Sequence, residues 1–230
     1  MKRCLLCHNQ LNDIVSFEKI FSFSKYIRPT ICRKCAATFL DLKTVATCRI
    51  CGRRLLTNMG SPCHDCLKWH NRAQLEFVNS SLYEYNDAMK NYMKRYKFLG
   101  DYRLRSVFTR QIQDELKATH RLIVPIPVSQ STMQTRGFNQ VLGLISNLKV
   151  DNVLAVKQEQ KDYRQSEKNR IERLQLIQPF KLIPSLAKTV VGRDVLLVDD
   201  VYTTGATIRH AARLLYQAKA ASVKGLTLAR

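Results

Sequence analysis

The sequence predicts an α/β protein, a parallel sheet flanked by helices, preceded by a small cysteine-rich module over residues 1–73. Three observations predict it. From residue 74 onward, short apolar segments alternate with segments of helical spacing, the pattern of strands covered by helices. Val195–Val198 is a continuous apolar run, which suits a strand buried on both faces. All eight cysteines lie before residue 67, in four Cys-x-x-Cys pairs.

The elements follow in order along residues 74–230. Phe77–Tyr85 reads as a strand, with Phe77, Leu82, Tyr83 and Tyr85 as its apolar and aromatic members. Ala88–Leu99 has Met89, Tyr92, Met93 and Tyr96 at helical spacing. Asp101 is placed to cap a further helix reaching about Lys117. Leu122–Pro127 is a short apolar strand. Arg136–Leu148 predicts a helix with Phe138, Val141, Leu142 and Ile145 on one face. Val153–Val156 reads as a strand and Glu167–Leu176 as a highly charged helix. Val195–Val198, the amphipathic Ile208–Ala218 and Val223–Leu228 complete a strand–helix–strand end.

Composition narrows the class. Apolar residues make up 45% of 230, enough for a packed core, so a disordered or collagen-like chain is excluded. No apolar run approaches the roughly 20 residues of a membrane helix. The charged start Met1-Lys2-Arg3-Cys4 has no hydrophobic stretch behind it. The expectation is a cytoplasmic protein without membrane insertion. The formal net charge is +20, and an excess of this size points to a polyanionic partner, with nucleic acid the natural one.

The cysteine pairs are Cys4/Cys7, Cys32/Cys35, Cys48/Cys51 and Cys63/Cys66, separated by 24, 12 and 11 residues. In a reducing compartment such spacing reads as metal binding rather than disulfides. Two knuckles supply four thiolates to one tetrahedral Zn²⁺, and four thiolates leave no open coordination position, so the role is structural. Pairing in sequence gives Cys4, Cys7, Cys32 and Cys35 at one site. Cys48, Cys51, Cys63 and Cys66 form the other, with the compact spacing of a zinc ribbon. An interleaved pairing, first knuckle with third, fits the spacing as well. With two such sites filled, the charge falls to +16, still strongly basic. His8 and His64 each follow a cysteine and read as ordinary surface residues.

The sharpest motif is Val195-Leu-Leu-Val-Asp199-Asp200-Val-Tyr-Thr203-Thr204-Gly205-Ala206-Thr207. An apolar strand delivers two carboxylates to the carboxyl edge of a sheet, where α/β proteins bind ligands. Backbone N–H groups at the following helix start, with threonine hydroxyls, make a receptor for a phosphate dianion. Gly205 allows close approach of the backbone. Paired carboxylates accept hydrogen bonds from adjacent sugar hydroxyls or hold a hydrated Mg²⁺. The string describes a ribose 5-phosphate pocket, and it is neither a Walker loop nor a dinucleotide fingerprint.

This string resembles the phosphoribosyl pyrophosphate (PRPP) motif of type I phosphoribosyltransferases. The resemblance implies a type I phosphoribosyltransferase-like fold. Asp199 and Asp200 would lie on the ribose hydroxyls, and Thr203, Thr204, Gly205, Ala206 and Thr207 around the 5-phosphate, with Mg²⁺ accompanying PRPP. Val124-Pro-Ile-Pro-Val128-Ser129 ends an apolar strand, and Arg136-Gly137-Phe-Asn-Gln140 opens the next helix. The same resemblance puts the pyrophosphate at the turn holding Val128 and Ser129. It makes Ser129–Gly137 a mobile catalytic loop and sets Arg136 against the leaving group.

Val-Pro-Ile-Pro followed by Arg-Gly-Phe-Asn-Gln, the segment Tyr96-Lys97-Phe98-Leu99-Gly100-Asp101, and the N-terminal cysteine module together resemble the ComF-type family over essentially the whole chain. These are bacterial proteins associated with natural competence, the uptake of DNA. Arg164–Arg173 resembles the family's basic helix, but Leu176 stands where an asparagine is expected, so the helix receives no specific role. The resemblance implies a protein handling incoming single-stranded DNA in the cytosol. Other DNA-uptake proteins are its implied partners, and through one of them it would sit at the inner face of the membrane.

Two further readings stand beside this one. A working phosphoribosyltransferase would use Asp199, Asp200 and Arg136 to displace pyrophosphate with a nitrogen nucleophile. No residue announces the pocket for that acceptor, and the sequence runs out at Arg230 without a C-terminal hood. A sensor would bind PRPP in the pocket while its basic face holds DNA. Glutamine amidotransfer is not expected, since the first cysteine, Cys4, lies inside a knuckle. Tyr92, Tyr96, Phe98 and Tyr102 interleave with the basic residues of Lys90–Arg105, a mixture suited to base stacking. Helical spacing assigns most of them to the core.

Overall fold

A computed structural model describes residues 3–11, 28–56, 60–73, 75–157 and 178–230 of the chain. Its main sheet has four parallel strands in the order β1-β6-β5-β2. These are β1 (Val78–Tyr83), β2 (Leu122–Pro125), β5 (Asp194–Val201) and β6 (Ser222–Ala229). A separate antiparallel pair joins β3 (Leu154–Val156) to β4 (Phe180–Leu182). The described helices are α1 (Arg33–Ala36), α2 (His64–Ala73), α3 (Asp87–Met93), α4 (Thr109–Lys117), α5 (Gln130–Arg136), α6 (Gln140–Leu144) and α7 (Ala206–Gln217).

β5 lies inside the sheet, paired on both sides, which is why its sequence is apolar without alternation. Val195 and Leu197 face one core layer with Ile208, Ala211 and Leu215 of α7. Val198 faces the other, with Met89, Tyr92, Tyr96, Ile112 and Leu144. Full burial of side chains this size contributes about 1.5–3 kcal/mol each. The two layers hold the β5 carboxyl end between helices.

Several expectations need correction. Of the helix expected over Arg136–Leu148, only Gln140–Leu144 is α-helical, and Arg136 is instead the last residue of α5. Gly137 takes φ +76° and ends α5, and the Asn139 side chain then accepts from the Val141 and Leu142 N–H groups to start α6. Ser129–Gly137, expected as a mobile catalytic loop, is a helix N-capped by Ser129 and ended by Gly137. The Asp101 carboxylate caps nothing, because it is bound by Arg103 at 2.9 Å. The stretch after it divides into a 3₁₀ segment, Tyr102–Val107, and α4. β3 stands outside the parallel sheet. The charged helix expected over Glu167–Leu176 falls outside the described residues.

The cysteine-rich part is built into this frame. The Asn79 N–H on the free edge of β1 donates to the Ile50 carbonyl of the third knuckle at 2.7 Å, which covers that edge. The Arg95 guanidinium donates to the Leu5 and Leu6 carbonyls of the first knuckle at 2.8 and 2.9 Å.

Candidate functional site

β5 ends in Asp199 and Asp200, both buried. The Asp200 N–H donates to Asp199 Oδ1 at 2.8 Å. Lys97 Nζ lies 2.6 Å from Asp200 Oδ1, delivered by a widened turn over Lys94–Phe98 whose closing bond runs from the Leu99 N–H to the Lys94 carbonyl. Such π-turns recur at functional sites. Asp200 Oδ2 is buried and has no hydrogen-bond partner among the described residues. Burial pushes the Asp199 carboxyl up to about 8, and the Asp200 charge adds to it; the Asp200 N–H and Lys97 pull the other way.

Asp199 makes the stability depend on pH. Its carboxyl has an ordinary value of 3.8 and is pushed to about 8 in the folded protein, so between these values only the folded state holds the proton. The stabilisation is complete below about pH 4 and is lost as pH rises through 8. Asp199→Asn keeps the acceptor for the Asp200 N–H and cannot ionise. Its Tm is expected to gain on that of the wild type steadily from pH 4 to 8 and by no more above 8. A difference independent of pH would refute this assignment.

The loop after β5 is held from outside. Trp69 Nε1 of α2 donates to the Thr204 carbonyl at 2.9 Å, and Arg230 Nη1 donates to the Tyr202 and Thr203 carbonyls. Gly205 adopts φ +81°, and a Cβ there would sit 2.2 Å from the Tyr202 hydroxyl, so only glycine fits. The first helical bond of α7 runs from the Arg209 N–H to the Gly205 carbonyl. The amides before it have no partner within the helix, while Thr203, Thr204 and Thr207 are exposed around them. With its carbonyls turned to Trp69 and Arg230, the loop offers donors to an anion.

The other candidate residues are placed differently. The Ser129 hydroxyl accepts from the Thr132 N–H at 3.1 Å, and Val128 precedes it. No hydrogen bond links either to the aspartates among the described residues. Arg136 donates to Gln140 Oε1 at 2.7 Å and lies 5.4 Å from the centre of the Phe98 ring. It thus joins the rim through the neighbour of Lys97, with Gly137 exposed beside it.

The cysteines form two tetrads, Cys4, Cys7, Cys32 and Cys35, and Cys48, Cys51, Cys63 and Cys66. The sequential pairing holds and the interleaved one does not. Sulfur separations of 3.7 Å (Cys7–Cys32), 3.8 Å (Cys51–Cys63) and 3.9 Å (Cys48–Cys66) match the edge of about 3.8 Å for a tetrahedron with Zn–S bonds of about 2.3 Å. Backbone N–H groups of Cys32 and Cys63 point at Cys4 and Cys48 sulfurs at 3.3 Å, as needed to support thiolates. Both tetrads can hold a metal ion, and their all-sulfur donor set suits zinc. The second is fully buried, in one cluster with Phe77, Tyr202 and Ile208. Its Cys51 thiol is pushed down to about 4, first by the adjacent Cys66 and also by Arg230.

Lys97, Trp69 and Arg230 escape the reading by motif. Lys97 stands in a quoted segment, but nothing in its spacing reveals that the turn sends it to Asp200. Trp69 and Arg230 reach the loop from 135 and 27 residues away, and a tertiary contact of that kind leaves no local signal.

Comparison with known proteins agrees with this geometry. Residues 109–230 match the phosphoribosyl transferase domain family. The chain is 33% identical to the competence protein ComFC of Streptococcus pneumoniae, covering 99% of this chain and 100% of that one. It is also 33% identical to the competence protein ComFC of Bacillus subtilis, covering 99% and 94%. A solved structure of an allosteric regulatory enzyme of purine biosynthesis overlaps 59% of this chain and 30% of its own at 15% identity, with a TM-score of 0.36.

Proposed function

Since the chain belongs to the ComFC family of competence proteins and carries a phosphoribosyl transferase domain, we propose that it binds PRPP or a related ribose 5-phosphate at the end of β5 and handles single-stranded DNA during uptake. The observation that carries the pocket is the buried Asp199–Asp200 pair, clamped by Lys97 and followed by a helix start whose first N–H groups lack helical partners, the Ala206 N–H resting on Thr204 Oγ1 at 3.3 Å. Ribose hydroxyls donate to the carboxylates, and the 5-phosphate takes the amides and hydroxyls of Thr203–Thr207. Asp200 Oδ2, buried and unpartnered, offers an anionic oxygen of the type that hydrated Mg²⁺ prefers. That ion, when bound with PRPP, supplies positive charge to the pyrophosphate.

The DNA part rests on the formal charge of +20, since phosphate contacts and released counterions dominate such binding. The two tetrads hold structural Zn²⁺ in this reading. The work is done in the cytosol, alongside other DNA-uptake proteins. No described helix is long and apolar enough to cross a membrane.

Calorimetry with PRPP and Mg²⁺ tests the pocket, on zinc-loaded wild type and on Asp199→Asn/Asp200→Asn, with and without a single-stranded oligonucleotide. Saturable binding by the wild type, lost in the double variant, is expected. A shift in affinity with DNA present would join pocket and DNA in one sensor. Release of pyrophosphate in the presence of a nitrogen acceptor would add turnover. No heat with the wild type would remove PRPP as the ligand and leave the DNA function alone.

A further inference from the structure

Four aromatic residues interleave with the basic ones after residue 90, and they divide sharply. Tyr92 and Tyr96 are 1% and 0% exposed and belong to the core. Phe98 is 73% exposed, its neighbour Leu99 69%, and Tyr102 40%. We propose that Phe98 and Tyr102 form a platform on which bases of single-stranded DNA stack, at the rim of the ribose-phosphate pocket. The proposal rests on the DNA-handling reading above and names the surface that would do it.

Core packing accounts for Tyr96 and not for Phe98. The same widened turn that buries Tyr96 and sends Lys97 to Asp200 turns Phe98 out to solvent. An aromatic ring this exposed buries little of its surface in the fold and presents the rest to a partner. Each ring also carries an arginine. The Arg136 guanidinium lies 5.4 Å from the centre of Phe98, and that of Arg105 4.0 Å from the centre of Tyr102. Phe138 bridges inward, 4.8 Å from Tyr102 and 5.2 Å from Tyr96, so the Tyr102 ring is backed by a fixed surface.

The charge around the rings is net positive. Exposed Lys94 and Arg103 stand nearby with Arg105 and Arg136. The acidic neighbour, Asp101, is held by Arg103 and Arg95. An apolar protein segment would meet an excess of positive charge here, whereas a strand with unpaired bases satisfies both features. Its bases offer π-faces to the rings and its phosphates follow the arginines. Duplex DNA fits poorly, because its bases are already stacked on one another. The turn Lys94–Phe98 then serves two ligands, with Lys97 in the pocket and Phe98 on the strand.

The test measures fluorescence anisotropy of a labelled oligothymidylate, and of an abasic strand of equal length, with the zinc-loaded full chain. Phe98→Ala/Tyr102→Ala is compared with wild type, with Phe98→Tyr, and with Tyr85→Ala, an exposed ring elsewhere. Base stacking on two rings predicts weakening of about 30- to 20,000-fold in the double variant. The dependence of affinity on salt is expected to stay the same, because the phosphate contacts remain. Phe98→Tyr and Tyr85→Ala are expected to bind as wild type, and wild type is expected to bind the abasic strand as weakly as the double variant does. Equal binding by wild type and double variant, or equal binding of the two strands by wild type, would overturn the platform while the DNA reading stands. Failure of the wild type to bind any strand at low salt would overturn both.

Discussion

Cys66→Ser is expected to cost the protein its cooperative fold, whereas Cys7→Ser is expected to leave the main unfolding transition nearly in place. The two residues are equivalent ligands in sequence, and the difference lies in their surroundings. Cys48, Cys51, Cys63 and Cys66 are buried in the core cluster that contains Phe77, Tyr202 and Ile208. Structural zinc contributes about 10–16 kcal/mol in zinc-finger peptides, and a metal held by this tetrad would place that free energy inside the main core. Losing one thiolate there leaves buried sulfurs unpaired and loosens α2, which carries Trp69 to the loop after β5. Cys7 is exposed, and Cys32 and Cys35 are half-buried. Its loss frees the first knuckle and the Arg95 contacts with Leu5 and Leu6. Thermal melts with zinc quantitation decide the matter. Cys66→Ser should show no folded transition or one more than 10 °C lower, a shift of about 3 kcal/mol or more for a chain this long. Equal melting of the two variants would mean that the second tetrad is not part of the core.

Lys97→Met should be the most damaging single change at the pocket that leaves both carboxylates in place. Lys97 is mostly buried and Asp200 almost wholly so, with 2.6 Å between their charged atoms. Removing one partner of such a pair costs roughly 3–5 kcal/mol, because the other charge stays buried and uncompensated. For a chain this long that corresponds to a loss of about 6–20 °C in Tm. Asp200→Asn in the same background should recover much of the loss, since the orphaned charge is gone. A double-mutant cycle reads this coupling directly. Additive effects of the two substitutions would show that the ion pair does not hold the turn.

The parts of the fold legible in sequence are those where local pattern and tertiary role coincide. β5 is apolar throughout because it is buried on both faces, and α7 shows its buried stripe at Ile208, Ala211, Ala212 and Leu215. The same reasoning misjudges Arg136–Leu148. Phe138, Val141, Leu142 and Ile145 keep helical spacing, but Gly137 at positive φ and the Asn139 cap outrank that spacing and split the segment. Val153–Val156 looks like another strand of the sheet, yet its partner is Phe180–Leu182, which has no strong pattern of its own.

At the site, Asp199–Thr207 is legible because one continuous stretch carries it. Lys97 is not, since a lysine among helically spaced residues reads as a solvated one until the turn widens. The cysteine spacing admits two pairings, and only sulfur separations choose between them.

The contact between Trp69 and Thr204 has a consequence for observation. Trp69 is the only tryptophan in 230 residues. Its indole N–H ends on the Thr204 carbonyl in the loop after β5, with the Arg209 guanidinium 5.2 Å from its ring. The protein therefore contains an intrinsic optical gauge at this loop. Excitation selective for indole reports the loop alone, in an unlabelled chain and without any change to its sequence.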